Sequence, residues 1–285
     1  MLPKGDPMDK LKLWFWPGLL ALLLISAWGV TLSGGNRGVV AWILVTQLLS
    51  LVGFVGVLIA LYKLIRQRRA VTRPALVGGA LSLVAFWPLL MPFGVLAIAY
   101  PAALERTQPA ATVRLPSDLP LRVVWGGHRL STNRHAATPV LAPVAATVHQ
   151  ALDGEPDIAI GATLADPSRL LGNHAILKLE TGTYLVIAHM KQGSVRVKTG
   201  DAVAEGQQLG ECGNSGNTSE PHIHIHHQRR DPLSINGDLN LGVNLVEGLP
   251  LYFRDHDGKP MPEGGIRVVG GTLELIGDVV THRPR

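Results

Sequence analysis

Apolar residues run almost unbroken through three stretches of the first hundred positions. Beyond them the pattern turns to short alternations punctuated by Gly and Pro. Leu13–Leu32 holds twenty residues without a charge, enough to cross about 30 Å of hydrocarbon as a helix. Val39–Tyr62 is a second such run, with Gln47 its one strongly polar member. Ala75–Tyr100 is a third, in which Pro88 and Pro92 predict a kink. Trp14, Trp16, Trp28, Tyr62 and Tyr100 stand near the ends of these runs, where amphipathic rings favour the membrane interface. The pattern predicts three transmembrane helices, about 13–32, 39–62 and 75–100, within an N-terminal region 1–101.

The basic residues orient these spans. Lys63, Arg66, Arg68, Arg69 and Arg73 lie between the second and third runs without an acidic neighbour, while the shorter loop before Val39 carries Arg37 alone. By the positive-inside rule the five-charge loop is cytoplasmic. The N-terminus, with Lys4, Lys10 and Lys12, is then cytoplasmic too, and the chain leaves the third span on the outer side. This reads as a multi-pass protein of the cell (inner) membrane whose C-terminal domain is periplasmic or extracellular. The long first core, followed by two further spans, reads as an anchor and not as a cleaved signal peptide. Gln47 is expected inside the helix bundle with its amide satisfied. The spans carry too few ionisable groups for a transport pathway.

From Ala102 to Pro120 the chain is rich in Pro, Ala and Thr and reads as a linker. From 121 to 285 short β signals alternate with turns, and long helical periodicity is absent. Ala175–Leu179 and Tyr184–His189 flank Glu180-Thr181-Gly182 as one hairpin. Val195–Val197 and Ala202–Leu209 flank Gly200-Asp201 as another. The expected architecture is a three-span α-helical bundle followed by a mainly antiparallel β domain. The net charge of +5 is concentrated in the membrane loop, so nucleic acid is not an expected partner. The single Cys212 excludes a disulfide framework and reads as a buried strand residue.

Chemistry concentrates in GNSGNTSEPHIHIHH, Gly213 to His227. On a strand, alternate side chains share a face, so His222, His224 and His226 point one way while Ile223 and Ile225 enter the core. Histidines two apart stand roughly 6.5–7 Å apart along the strand. Their imidazoles can converge, and neutral imidazole is a common zinc ligand.

With Ala188-His189-Met190 at the end of another strand, this segment resembles the lysostaphin-type (LytM-like) zinc metallopeptidases. The resemblance runs from about Leu121 to Phe253. It includes Pro139-Val140-Leu141-Ala142-Pro143, Ala146-Thr147-Val148, Gly172-Asn173-His174, Gly193-Ser194-Val195, Gly200-Asp201-Ala202-Val203, Gly206-Gln207, Gly210, Gly213-Asn214-Ser215-Gly216 and Pro221-His222-Ile223-His224, in family order. It implies the family's β fold, a Zn2+ cofactor with His224 as ligand, and His189 and His222 flanking the catalytic water. It also implies a peptide of bacterial cell-wall peptidoglycan as substrate.

The family's other two ligands are a histidine and an aspartate before the Pro-Val-x-Ala-Pro segment. His135 matches the histidine, but His135-Ala136-Ala137-Thr138 runs into Pro139 without an aspartate. His128 is a weaker source of a third nitrogen. Asp153, Asp157 and Asp166 lie in the loop after Val148 and read as surface carboxylates. His226 is expected one strand repeat away from the compact site. His149, His174, His256 and His282 read as solvated or hydrogen-bonded side chains, and Glu220 as a turn residue. Gly213–Gly216 lacks the Lys-Ser/Thr ending of a phosphate loop. Two functions follow from the resemblance. One is a membrane-anchored zinc metalloendopeptidase. The other is a catalytically degenerate domain that binds peptidoglycan or regulates a partner hydrolase.

Overall fold

A computed structural model of the chain describes residues 7–67, 72–93, 107–123, 138–161, 167–235, 237–238, 242–243, 246–270 and 272–283. The chain divides into two compact units, Met1–Ile98 and Ala99–Arg285.

The first unit is helical. It comprises α1 (Pro7–Leu32), α2 (Gly35–Ile43), α3 (Ser50–Gln67) and α4 (Arg73–Phe86), with a π-helical stretch Leu44–Leu49 joining α2 to α3. Three segments are long and apolar enough to cross a membrane: Leu11–Leu32, Gly35–Arg66 and Arg73–Leu90. The α4 helix opens where its sequence allows, with Thr72 extended and Pro74 in the first turn, where a missing N–H costs nothing. Pro88 and Pro92 do not kink a continuous helix. The α-helix stops at Phe86 and a 3-10 segment carries the chain from Trp87 to Phe93. Tyr100 lies outside the described residues.

Small residues set the spacing of α3 and α4. A Cβ on Gly53 would stand 2.3 Å from the Phe86 backbone nitrogen, and one on Gly56 as close to the Ser82 hydroxyl. Gln47, expected inside the bundle, is exposed on its outer side. Val45 and Ser50 take the buried positions, and the Ser50 hydroxyl is satisfied by bonding back to the Thr46 carbonyl.

The second unit is β-rich. Its strands are β1 (Ala111–Arg114), β2 (Leu121–Arg122), β3 (Pro139–Leu141), β4 (Ala146–Leu152), β5 (Asn173–Lys178), β6 (Tyr184–Met190) and β7 (Ala202–Val203). There follow β8 (Gln208–Glu211), β9 (His224–Gln228), β10 (Gly248–Leu249), β11 (Leu251–Arg254), β12 (Ile266–Val269), β13 (Thr272–Leu275) and β14 (Val279–Val280). The central sheet has the order β10-β9-β6-β5-β4-β7 and is antiparallel throughout.

Two expectations change here. The stretch read as linker contains β1, which pairs in parallel with β11 and buries Val113. Thr112 and Arg114 alternate with apolar neighbours, a short period-two signal hidden among prolines. Val195–Val197 makes no hairpin with Ala202–Leu209. Arg196 gives one backbone bond to Leu209, while β7 pairs with β4 and β8 with β3.

Side chains of the central sheet sort by parity. Ala175, Leu177, Leu185, Ile187 and Ile223 pack on one face with Val140 and Leu209. Ile176, Tyr184, Val186 and Ala188 line the other. At the end of β6 the parity breaks. Met190 pairs with Asn173 and Ile187 with Ala175, so β6 carries one extra residue. Met190 rejoins the first core, and His189 takes up the bulge with φ 64. Non-glycine residues adopt that conformation rarely and at a cost of about 1–3 kcal/mol.

The loop Gly213–Gly216 clamps this bulge. Ser215 Oγ accepts the Asn173 N–H (2.9 Å) and donates to the Met190 carbonyl (2.6 Å), and the Gly213 N–H reaches the His189 carbonyl (3.0 Å). Gly172 makes the contact possible, because at φ 56 a Cβ there would lie 2.3 Å from the Ser215 backbone carbon. We therefore expect Gly172→Ala to destabilise the protein by at least about 2 kcal/mol, from strain and overlap together. Gly182→Ala is the control, since its φ is also positive but its Cβ would meet open space; it should cost about 1 kcal/mol. Urea midpoints of the two variants compare them, and equal losses would refute the clamp.

Candidate metal centre

The β6–β9 register places His224 opposite Ala188 and His226 opposite Val186, on the face away from the larger core. Ile223 is buried in that core and Ile225 packs against it. The bulge turns His189 onto the histidine face. Its ring centroid lies 4.7 Å from that of His222 and 5.5 Å from that of His224. One ring nitrogen from each of His189, His222 and His224 lies within 4.8 Å of the other two.

Each ring also has one nitrogen engaged in a hydrogen bond. His189 Nδ1 donates to the Ser215 carbonyl at 2.9 Å, which leaves Nε2 bare. His222 Nδ1 donates to the Glu220 carbonyl at 2.9 Å, with the Thr218 hydroxyl 3.1 Å away, and again Nε2 is bare. His224 Nε2 meets His226 Nδ1 at 2.7 Å, leaving Nδ1. A backbone carbonyl on one imidazole nitrogen fixes the tautomer and orients the other for ligation or proton transfer. His189 is 5% exposed, while His222 and His224 are half-buried and reachable from solvent.

Neutral nitrogen donors converging from two strands and a loop suit a borderline cation such as zinc. Residues 126–236 match the model of peptidase family M23. Residues 126–236 form an M23 peptidase domain.

Solved structures similar to the chain include the catalytic domain of lysostaphin from Staphylococcus simulans, at 25% identity over 35% of this chain and 70% of that one, with a TM-score of 0.25. A Pseudomonas aeruginosa structure assigned to peptidase M23 shares 25% identity over 44% of this chain and 50% of that one, TM-score 0.31. A zinc-containing peptidase from Vibrio cholerae shares 16% identity over 40% of this chain and 37% of that one, TM-score 0.29. The chain thus spans half the length of the Pseudomonas protein and less of the Vibrio protein. No curated protein matches it.

Within the M23 domain the structure brings together three of the residues singled out in the sequence, His189, His222 and His224. His135 and His128, the remaining metal candidates, lie outside the described residues, as does Asp166. Among the described residues no carboxylate or thiolate joins the cluster. Asp157 accepts the Asn214 and Gln192 N–H groups, and Asp153 those of Gly193 and Val195. Both carboxylates hold loops together. Cys212 is buried in the larger core, and burial pushes its thiol up to about 12.

Four further histidines behave as structural side chains. His227 bridges Thr183 and the Pro250 carbonyl; His149 reaches Asp231 at 2.9 Å. His174 donates to the Gly172 carbonyl, and His256 to that of Phe253. Sequence reasoning missed Ser215 as the residue that aims His189; the GNSG turn was the available signal. It also set His226 apart from the site, whereas His226 is in hydrogen-bond contact with His224.

All three clustered rings are held neutral in the metal-free protein. Burial, then the neighbouring His222, lowers His189 from 6.5 to about 3. Burial also lowers His222, and burial with His226 beside it lowers His224 well below the usual range. As pH falls below about 6.5, the unfolded chain takes up protons that the folded domain refuses, so stability falls with falling pH. His189 alone contributes a loss of about 2 kcal/mol at pH 5. Urea unfolding of chelator-treated protein in detergent should show this decline between pH 7 and pH 5, reduced in His189→Gln. A flat profile, or one unchanged by the substitution, would refute the neutral cluster.

Proposed function

We propose that this protein is a membrane-anchored zinc metalloendopeptidase acting on the peptides of cell-wall peptidoglycan. The observation that carries this reading is the convergence of three imidazoles, one nitrogen of each within 4.8 Å of the others, with one nitrogen of each ring held in a hydrogen bond. The M23 match supplies the substrate class as an inference from kinship, since fold alone does not fix function.

In this reading His224 holds the ion through Nδ1, with His135 as the second ligand. When bound, zinc polarises the scissile carbonyl and lowers the pKa of water at the site toward 7. His189 and His222 flank that position. Their Nδ1 atoms are tied to backbone carbonyls, so Nε2 is the acceptor, and each ring is suited to take a proton from the attacking water and return it to the leaving amine. The Ser215 and Glu220 carbonyls stabilise the imidazolium formed in between. His222 and His224 are half-buried where His189 is buried, so an extended peptide would approach from their side.

The anchor and its orientation belong to the same proposal. Three apolar helices and the five basic residues between the last two support a cytoplasmic N-terminus and an outward-facing domain, where peptidoglycan lies.

A second reading has one observation in its favour. The chain from His135 to Pro139 lacks an aspartate, and an anionic ligand offsets part of the ion's charge. A domain that fails to hold zinc would bind peptidoglycan or a partner hydrolase without turnover.

Elemental analysis of the full chain in detergent, followed by digestion of purified muropeptides, separates the two. The first reading predicts about one zinc per chain, lost in His224→Ala together with cleavage. It also predicts that His189→Gln and His222→Gln keep zinc while turnover falls by about 10²–10⁴-fold. Metal-free wild-type protein that retains muropeptide fragments without cutting them would establish the second.

A further inference from the structure

Four hydrogen bonds running along β9 have a definite polarity. Gln228 is fully buried, and its side-chain Nε2 sits 2.7 Å from the Arg230 carbonyl and 3.0 Å from the Gly242 carbonyl. Carbonyls only accept, so both contacts require the NH2 group at that end. Turning the amide over would set three oxygens against one another in a buried place. Gln228 Oε1 therefore points along the strand face and can only accept. It lies 2.8 Å from His226 Nε2, which must carry a hydrogen. A neutral imidazole has one N–H, so His226 Nδ1 holds a lone pair. His224 Nε2 lies 2.7 Å from His226 Nδ1 and must donate to it. The remaining nitrogen of His224, Nδ1, is then the bare one.

We infer that Gln228 and His226 form a relay that fixes the tautomer of His224, so that Nδ1 and not Nε2 is the atom offered to the metal. This rests on the zinc reading above for its purpose, though not for its geometry. His226 and Gln228 are positioning residues that touch neither metal nor substrate in this account. They act as outer partners do in metal sites, by holding a ligand ring in one tautomer and one orientation. Two backbone carbonyls set the direction, one two residues beyond Gln228 and one at Gly242. The Arg230 and Gly242 carbonyls thereby contribute to the metal centre through the Gln228 amide alone.

The test uses the full chain in detergent micelles, labelled with 15N in its histidines and stripped of metal with a chelator. Long-range proton–nitrogen NMR reads which nitrogen of His224 bears hydrogen, and competition with a chromophoric chelator gives the zinc affinity. Wild type should show His224 protonated at Nε2. His226→Phe keeps a ring but removes the acceptor; it should release the tautomer preference and weaken zinc binding by about 10–100-fold. His226→Gln restores an acceptor toward His224 and a donor toward Gln228, and should recover both readouts.

A wild-type His224 protonated at Nδ1 would overturn the relay, whatever the variants do. So would a His226→Phe protein that keeps both tautomer and affinity. If wild type shows the expected tautomer but takes up no zinc, the relay stands and the peptidase reading fails. If it binds zinc with the opposite tautomer, the reading stands and the relay fails.

Discussion

The arrangement of this domain depends on how β6 ends. A regular strand would send His189 into the apolar core beside Ile187. One extra residue, with a left-handed backbone at His189, sends it to the opposite face instead, against His222 and His224. Such a backbone is unfavourable in isolation and persists when its surroundings determine it from several sides. Here they do so through the Gly213–Gly216 loop. Ser215 takes an N–H from β5, gives its hydroxyl hydrogen to β6 and offers its carbonyl to the His189 ring. Gly172 lets that loop come close enough. One contact thus sets strand register, loop position and the direction of the His189 ring.

The site assembled around this contact is all nitrogen among the described residues. Three neutral imidazoles close together need no counter-charge, which agrees with the burial that holds each of them unprotonated. In the proposed reading an ion held by His224 finds that ring already deprotonated and oriented, so little of it has to reorganise at binding. Among the described residues no carboxylate stands in the cluster to offset an ion's charge. Outward bonds from Ser215, Glu220 and His226 fix the three rings and replace one function of a charged ligand, though not its charge.

Sequence alone made some of this legible. The apolar runs marked the three helices long and apolar enough to cross a membrane, because hydrocarbon thickness sets a minimum length. Alternation in His222–His226 marked the shared face because the strand period is two. The GNSG turn and the residues near His189 carried enough pattern to suggest the family, now supported by the match over residues 126–236. Other features were beyond reach. A bulge is a mismatch between two strands, and neither strand's own sequence records it. The parallel pairing of β1 with β11 joins segments about 140 residues apart. His226 falls outside a site drawn from the strand repeat because the repeat fixes backbone spacing, whereas its ring reaches the His224 ring at 2.7 Å. Gln228 became meaningful only once the carbonyls of Arg230 and Gly242 were seen around its amide. Gln47 was placed inside the bundle from polarity alone, and helical phase puts it outside.

The central claim is that imidazoles from β6 and the β9 region surround a single cation. An anomalous-difference map at the zinc edge, from crystals of the zinc-loaded protein, addresses it without reference to activity. The account predicts one strong peak at bonding distance, about 2.0–2.1 Å, from His224 Nδ1, with the His189 and His222 rings facing it. A peak bonded elsewhere, or zinc-loaded crystals without a peak at the cluster, would contradict it.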